Sequence, residues 1–276
     1  MRYDTRRPSA IGLDLMARLA GGVPVYALGI RFARSPDIAR MASMAGYDLL
    51  WIDLEHCGMS IDVAGQILSC AHDLGLGAWV RVPENDFGVI GRLLDSGATG
   101  IILPRVETEA QAQRLAACCR FPPAGERSMI ARLPQSGFSR LPAAELTAAA
   151  NGQTVCQALI ESRLGVRNAD GIAATDGIDI LAIGANDLTA EMGFPGDVRR
   201  PEFVDACKAV ADAARRHGKA AIIGGIAVQE DFIAFLKSGF SPFVFTGIDT
   251  DIVADGIAAR RNAWRERLAE QDFNCE

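Results

Sequence analysis

A chain of 276 residues in which eight short apolar runs alternate with helical patterns predicts an α/β fold, a (β/α)8 barrel. The runs are apolar throughout instead of alternating, as parallel strands covered on both faces should be. A doubly wound open sheet is the competitor. It normally carries a Gly-rich phosphate loop after its first strand, and Gly29-Ile30-Arg31-Phe32-Ala33 is not one.

The strands are expected at 23–30, 48–54, 78–82, 100–104, 155–160, 178–183, 220–224 and 243–246. Helical patterns fall at 35–45, 61–74, 87–95, 107–119, 163–174, 201–217, 228–238 and 250–269. Ser60 is placed to cap one helix, while Gly75, Gly97 and Gly218 end others. The connection from 119 to 155 is long for a compact domain, and an Ala-rich helical piece near 143–150 suggests that it is ordered. No internal repeat or linker divides the chain, so one domain is expected over 1–276, with a barrel core at about 23–258 and a C-terminal helix at about 250–269.

A net charge of −6 with no basic run argues against nucleic acid or an anionic membrane surface as partner. No uncharged apolar run reaches the ~18 residues of a membrane span, and the polar, Arg-rich segment 1–10 is not expected to be a secretory signal. Seven cysteines without a C-x-x-C pair read as reduced thiols, which places the protein in the cytoplasm.

Barrel chemistry sits where the strands end. Strand two ends in Asp53-Leu54-Glu55-His56, strand three in Arg81, strand four in Arg105, strand five in Glu161 and strand six in Asp187. Glu161 and Asp187 come from neighbouring strands, and two converging carboxylates repel unless a proton or a cation lies between them. Mg2+ or Mn2+ suits such a pair, with water and substrate oxygens filling the other positions. A proton-sharing acid pair is the alternative; Arg81 and Arg105 favour the cation, since they suggest an anionic ligand able to bridge to it. His56 alone of the three histidines is at the rim, in the pKa range of a base working near neutrality. His72 reads as a packing or surface residue and His217 as a helix-end cation. Asp95 ends the helix at 87–95, on the unfavourable side of its dipole, which hints at another partner. The only lysines, Lys208, Lys219 and Lys237, all fall away from the rim, so a Schiff-base aldolase is disfavoured and carbanion chemistry would need a metal.

Several segments together resemble the HpcH/HpaI family of metal-dependent 2-oxo acid aldolases. They are Tyr47-Asp48-Leu49-Leu50-Trp51-Ile52-Asp53-Leu54-Glu55-His56, Gly97-Ala98-Thr99-Gly100-Ile101-Ile102-Leu103-Pro104 with Val106-Glu107-Thr108, and Phe121-Pro122-Pro123-Ala124-Gly125. Ile160-Glu161-Ser162, Ile183-Gly184-Ala185-Asn186-Asp187-Leu188 and Gly247-Ile248-Asp249-Thr250 follow in order. The resemblance implies a carbon–carbon lyase acting on a 4-hydroxy-2-oxo acid through a pyruvate- or oxaloacetate-derived unit, with an aldehyde or acyl acceptor as the second partner. It implies Glu161 and Asp187 as ligands of Mg2+, Mn2+ or Co2+, Arg81 beside the substrate oxygen, and His56 as base. Asp95 would support that histidine across a subunit contact, and the backbone around Asn186 and Asp187 would hold the substrate carboxylate. It further implies a homo-oligomer, a hexamer or trimer, in which the C-terminal helix with Trp264 packs on a neighbouring barrel.

The sequence departs from the family pattern at four places: Leu159 for glutamine, Arg105 for methionine, Ala185 for proline, and Ser128 after Arg127 for glycine. The added Arg105, with Arg127, points to a more anionic substrate. Sister branches keep a siderophore-pathway citrate synthase-like condensation of oxaloacetate with acetyl-CoA as the alternative, and a non-catalytic metabolite-binding barrel as a third class.

Overall fold

The computed structural model describes residues 10–84 and 86–271. The segment 1–9, read above as no secretory signal, lies outside the described residues. Eight parallel strands form one sheet: β1 Val25–Ile30, β2 Leu49–Asp53, β3 Gly77–Arg81, β4 Gly100–Leu103, β5 Val155–Ile160, β6 Ile180–Gly184, β7 Ala220–Gly224 and β8 Phe243–Ile248. Its order, β7-β6-β5-β4-β3-β2-β1-β8, brings the two end strands side by side. The Ser241 N–H donates to the Ala221 carbonyl at 2.7 Å across that seam, so the sheet is a nearly closed barrel, as the alternating pattern predicts.

The helices are α1 Ile11–Ala20, α2 Asp37–Met44, α3 Ile61–Asp73, α4 Phe87–Asp95, α5 Glu109–Cys119, α6 Ala143–Gln153, α7 Arg163–Arg167, α8 Ala169–Ala174, α9 Ala185–Glu191, α10 Pro201–Arg216, α11 Gln229–Lys237 and α12 Asp249–Ala269. Ser60 caps α3 by accepting from the Val63 N–H, and Thr108 with Gln111 makes a capping box on α5. The expected helix 163–174 is two helices. Asn168 leaves helical geometry between them, and its side chain donates to the Glu107 carbonyl at 2.6 Å.

Alternation along the strands separates two cores. Val25, Ala27, Leu49, Trp79, Ile102, Val155, Leu159, Ile180, Ala182, Ile222 and Phe243 fill the barrel interior, and Trp79 stacks on Phe243. Leu28, Ile30, Leu50, Ile52, Val80, Ile101, Ile160 and Ile183 face the helices. Helix α1, unforeseen in the sequence reading, plugs the N-terminal end of the barrel with Ile11, Leu15 and Leu19. Arg18 pins it there through Asp48 at 2.6 Å. Gly77 is required by this plug, because a Cβ there would meet Leu15 Cδ1 at 2.4 Å.

No helix among the described residues is long and apolar enough to cross a membrane. All six described cysteines are free thiols.

Candidate active site

The inward-facing rows of β2, β3 and β5 end at the C-terminal rim in Asp53, Arg81 and Glu161. The apolar layer therefore gives way to charge where the chain leaves the sheet. Arg81 grips Asp53 with two parallel bonds, Nε to Oδ1 at 3.0 Å and Nη2 to Oδ2 at 2.7 Å. Its third nitrogen, Nη1, lies 2.8 Å from Glu55 Oε2, and the guanidinium rests on the Trp51 ring at 4.8 Å. Asp53 is wholly buried. Burial alone would raise its carboxyl, but the bonds and charges of Arg81, then Arg31, hold it below the usual carboxylate range. Glu55 also lies 3.6 Å from His56 Nε2, on an imidazole that is half exposed.

Glu161 is the opposite case. Burial first, then the charge of Asp187, pushes its carboxyl up to about 7. The Arg105 N–H donates to Glu161 Oε1 at 2.7 Å, from a backbone in the left-handed region at φ +50°. Gly184 lets the carboxylate lie against the end of β6, since a Cβ there would stand 2.7 Å from Oε2. Gly184→Ala is therefore expected to displace the Glu161 carboxylate, and a divalent cation held by it would bind about tenfold or more weakly, read by calorimetry with Mn2+ on a variant whose circular dichroism is unchanged. Asp187 and Asn186 sit exposed in the first turn of α9, directly after β6.

Among the described residues no three His, Cys, Asp or Glu side chains converge as a metal cage. Two carboxylates, Glu161 buried and Asp187 exposed, fit a hard divalent cation that keeps water or substrate oxygens in its other positions. A buried carboxylate raised by its like-charged neighbour is the electrostatic gap such a cation would fill.

Curated relatives and solved structures are similar over most of the chain. Residues 32–255 match the HpcH/HpaI aldolase/citrate lyase family. The chain belongs to this family. Within it, the chain is 37% identical to the 4-hydroxy-4-methyl-2-oxoglutarate aldolase tasA of Hapsidospora irregularis, over 77% of this chain and 79% of that one. It is 35% identical to a 4-hydroxy-2-oxovalerate aldolase of Novosphingobium aromaticivorans, over 86% and 88%. Both relatives are aldolases, which are carbon–carbon lyases. The HpcH/HpaI aldolase of Desulfitobacterium hafniense DCB-2 superposes with a TM-score of 0.84 at 26% identity, covering 91% and 96% of the two chains. The citrate synthase SbnG does so at 0.80 and 25%, covering 92% and 98%.

This HpcH/HpaI chain brings His56, Arg81, Glu161, Asn186 and Asp187 to one rim, but not every expected residue joins them. Arg105 is there by its backbone, while its guanidinium is taken by Glu191 at 2.9 Å and Glu107 at 3.4 Å. Arg127 and Asp95 pair with each other at 2.7 Å at the opposite end of the barrel, where α4 turns into β4. Arg127 is buried there, stacked on Phe121 at 4.3 Å, beside Thr99, Gln135 and Thr154. His72 is buried in α3, and His217 ends α10 with Nε2 3.2 Å from Asp170. The sequence reading placed Asp53 and Glu55 at the end of strand two without giving them a role, and gave none to Arg31. Their signal was the period of two: Asp53 and Arg31 extend inward-facing rows that are otherwise apolar.

Proposed function

We propose that the protein is a divalent-metal-dependent 2-oxo acid aldolase that cleaves or forms the C3–C4 bond of a 4-hydroxy-2-oxo acid. The observation carrying this reading is the buried Glu161 beside Asp187 at the rim that also bears Arg81 and His56. The names of the two aldolase relatives support the substrate class.

Glu161 and Asp187 would hold Mg2+, Mn2+ or Co2+. The bound cation supplies Lewis-acid polarisation of the carboxylate and ketone oxygens of a pyruvate- or oxaloacetate-derived unit. His56 takes the proton of the C4 hydroxyl; the C3–C4 bond then breaks, leaving an aldehyde and placing the electron pair on the pyruvate half. The Glu55 carboxylate lies 3.6 Å from His56 Nε2, beside the atom that would carry the proton. Arg81, fixed on Asp53, Glu55 and Trp51, presents positive charge to the developing oxyanion. The amides at the start of α9 receive the substrate carboxylate beside Asn186. No lysine competes for this role. Lys208 is on the outer face of α10, Lys219 precedes β7, and Lys237 ends α11.

Asp95 and Arg127, being at the far end of the barrel, would reach a reacting centre only across a subunit contact. Ile252, Val253, Ile257, Trp264 and Leu268 leave an exposed apolar surface along α12, which supports a homo-oligomer, a hexamer or trimer, built through that helix.

The likeness to a citrate synthase favours one second reading, condensation of oxaloacetate with acetyl-CoA. Parallel assays separate the two. Pyruvate released from 4-hydroxy-2-oxo acids is the expected result. Free CoA released only when acetyl-CoA meets oxaloacetate, without pyruvate release, would replace the aldolase reading by the condensation.

A further inference from the structure

Arg31 stands one step beyond β1 and continues its inward-facing row of Val25, Ala27 and Gly29. Its Nε donates to Asp53 Oδ2, the oxygen that also takes Arg81 Nη2, so two guanidinium groups flank one buried carboxylate. The loop that carries it is fixed from both sides. Asp249, buried at the start of α12, accepts the N–H groups of Arg31 at 2.8 Å, Phe32 at 2.9 Å and Ala33 at 2.7 Å. Arg34 donates back to the carbonyls of Arg31, Phe32 and Ala33. The Arg31 side chain remains 29% exposed, and no described residue accepts a hydrogen bond from its two Nη groups. The other two rim arginines are engaged: Arg81 by Asp53 and Glu55, and Arg105 by Glu191 and Glu107.

We propose that Arg31 is a specificity residue, receiving a second carboxylate on the part of the substrate beyond the bond that breaks. A guanidinium held by Nε alone keeps its Nη edge for a carboxylate, the fork geometry that arginine provides and lysine does not. The preferred substrates are then 4-hydroxy-2-oxo dicarboxylates. The reaction named here rests on the aldolase reading; the binding preference does not.

The test is calorimetric, with Mg2+ present, on the wild type, R31Q and R31K. The ligands are 2-oxoglutarate and 2-oxopentanoate, neither of which carries the 4-hydroxyl needed for cleavage. The wild type is expected to prefer the dicarboxylate by about tenfold or more, R31Q by less than about threefold, and R31K by an intermediate amount. A wild type without preference, or an R31Q that keeps it, would overturn the assignment. A kinetic arm compares pyruvate release from 4-hydroxy-2-oxoglutarate and 4-hydroxy-2-oxopentanoate. No pyruvate from either, with the binding preference intact, sinks the aldolase reading and leaves Arg31 standing. Equal kcat/KM for the two, with no binding preference, sinks Arg31 alone.

Discussion

Glutamine in place of Glu161 is expected to stabilise the metal-free protein at pH 8 by about 3 kcal/mol, and to cost about a thousandfold in lyase turnover. Burial and Asp187 raise the Glu161 carboxyl from its ordinary 4.5 to about 7. Between those values the folded chain holds a proton that the unfolded chain has released. The fold therefore loses stability as pH rises from 4.5, and above about 7 it carries the full cost of the buried charge. An amide escapes that cost and still accepts the Arg105 N–H, but it is a poorer ligand for a hard cation. Urea denaturation in chelator at pH 5 and pH 8 checks this: the gain of the variant on the wild type should grow from under about 1 kcal/mol at pH 5 to about 3 kcal/mol at pH 8. An equal difference at both would mean that Glu161 does not titrate as described. Mg2+ should erase or reverse the advantage, because only the wild type gains from binding it.

Arg81→Met should be the single change at the rim most damaging to stability, costing about 3–5 kcal/mol, with about a hundredfold or more in kcat. It strips the wholly buried Asp53 of its bidentate partner, leaving one guanidinium, that of Arg31, and the backbone N–H groups of Glu55 and His56, and it releases Glu55 from the Arg81 Nη1. The double variant R81M/D53N removes both members of the pair and should recover much of the stability with none of the turnover. Chemical denaturation and kcat measured on the three proteins check the claim. If the double variant regained activity along with stability, Arg81 would be a structural residue only.

The barrel was legible because buried parallel strands must be apolar throughout, so all eight runs stand out. Helix α1 was missed: its apolar positions, Ile11, Leu15 and Leu19, repeat every four residues but precede the first strand, outside the alternating pattern. At the site, strand ends pointed to Arg81, Glu161 and Asp187 because an apolar run that stops at a charge marks the rim. The same rule misjudged what Arg105 offers. Its left-handed backbone turns the amide to Glu161 and sends the guanidinium to Glu191, 86 residues away in sequence. Asp95 and Arg127 find each other across 32 residues at the other end of the barrel. Such pairings depend on which end of the barrel a loop returns to, which local spacing does not encode. Asp53 was placed at the rim, but that it and Arg31 turn inward to meet was readable only with the parity of β1 and β2 already known.

The most direct test of the account is pyruvate release from 4-hydroxy-2-oxoglutarate, followed on one preparation as isolated, after exhaustive chelation, and after Mn2+ is returned. Activity should vanish on chelation and return with the metal in the wild type, while E161Q should stay inactive throughout. Full activity in the chelated protein, or a pyruvate–lysine adduct trapped by borohydride, would contradict it.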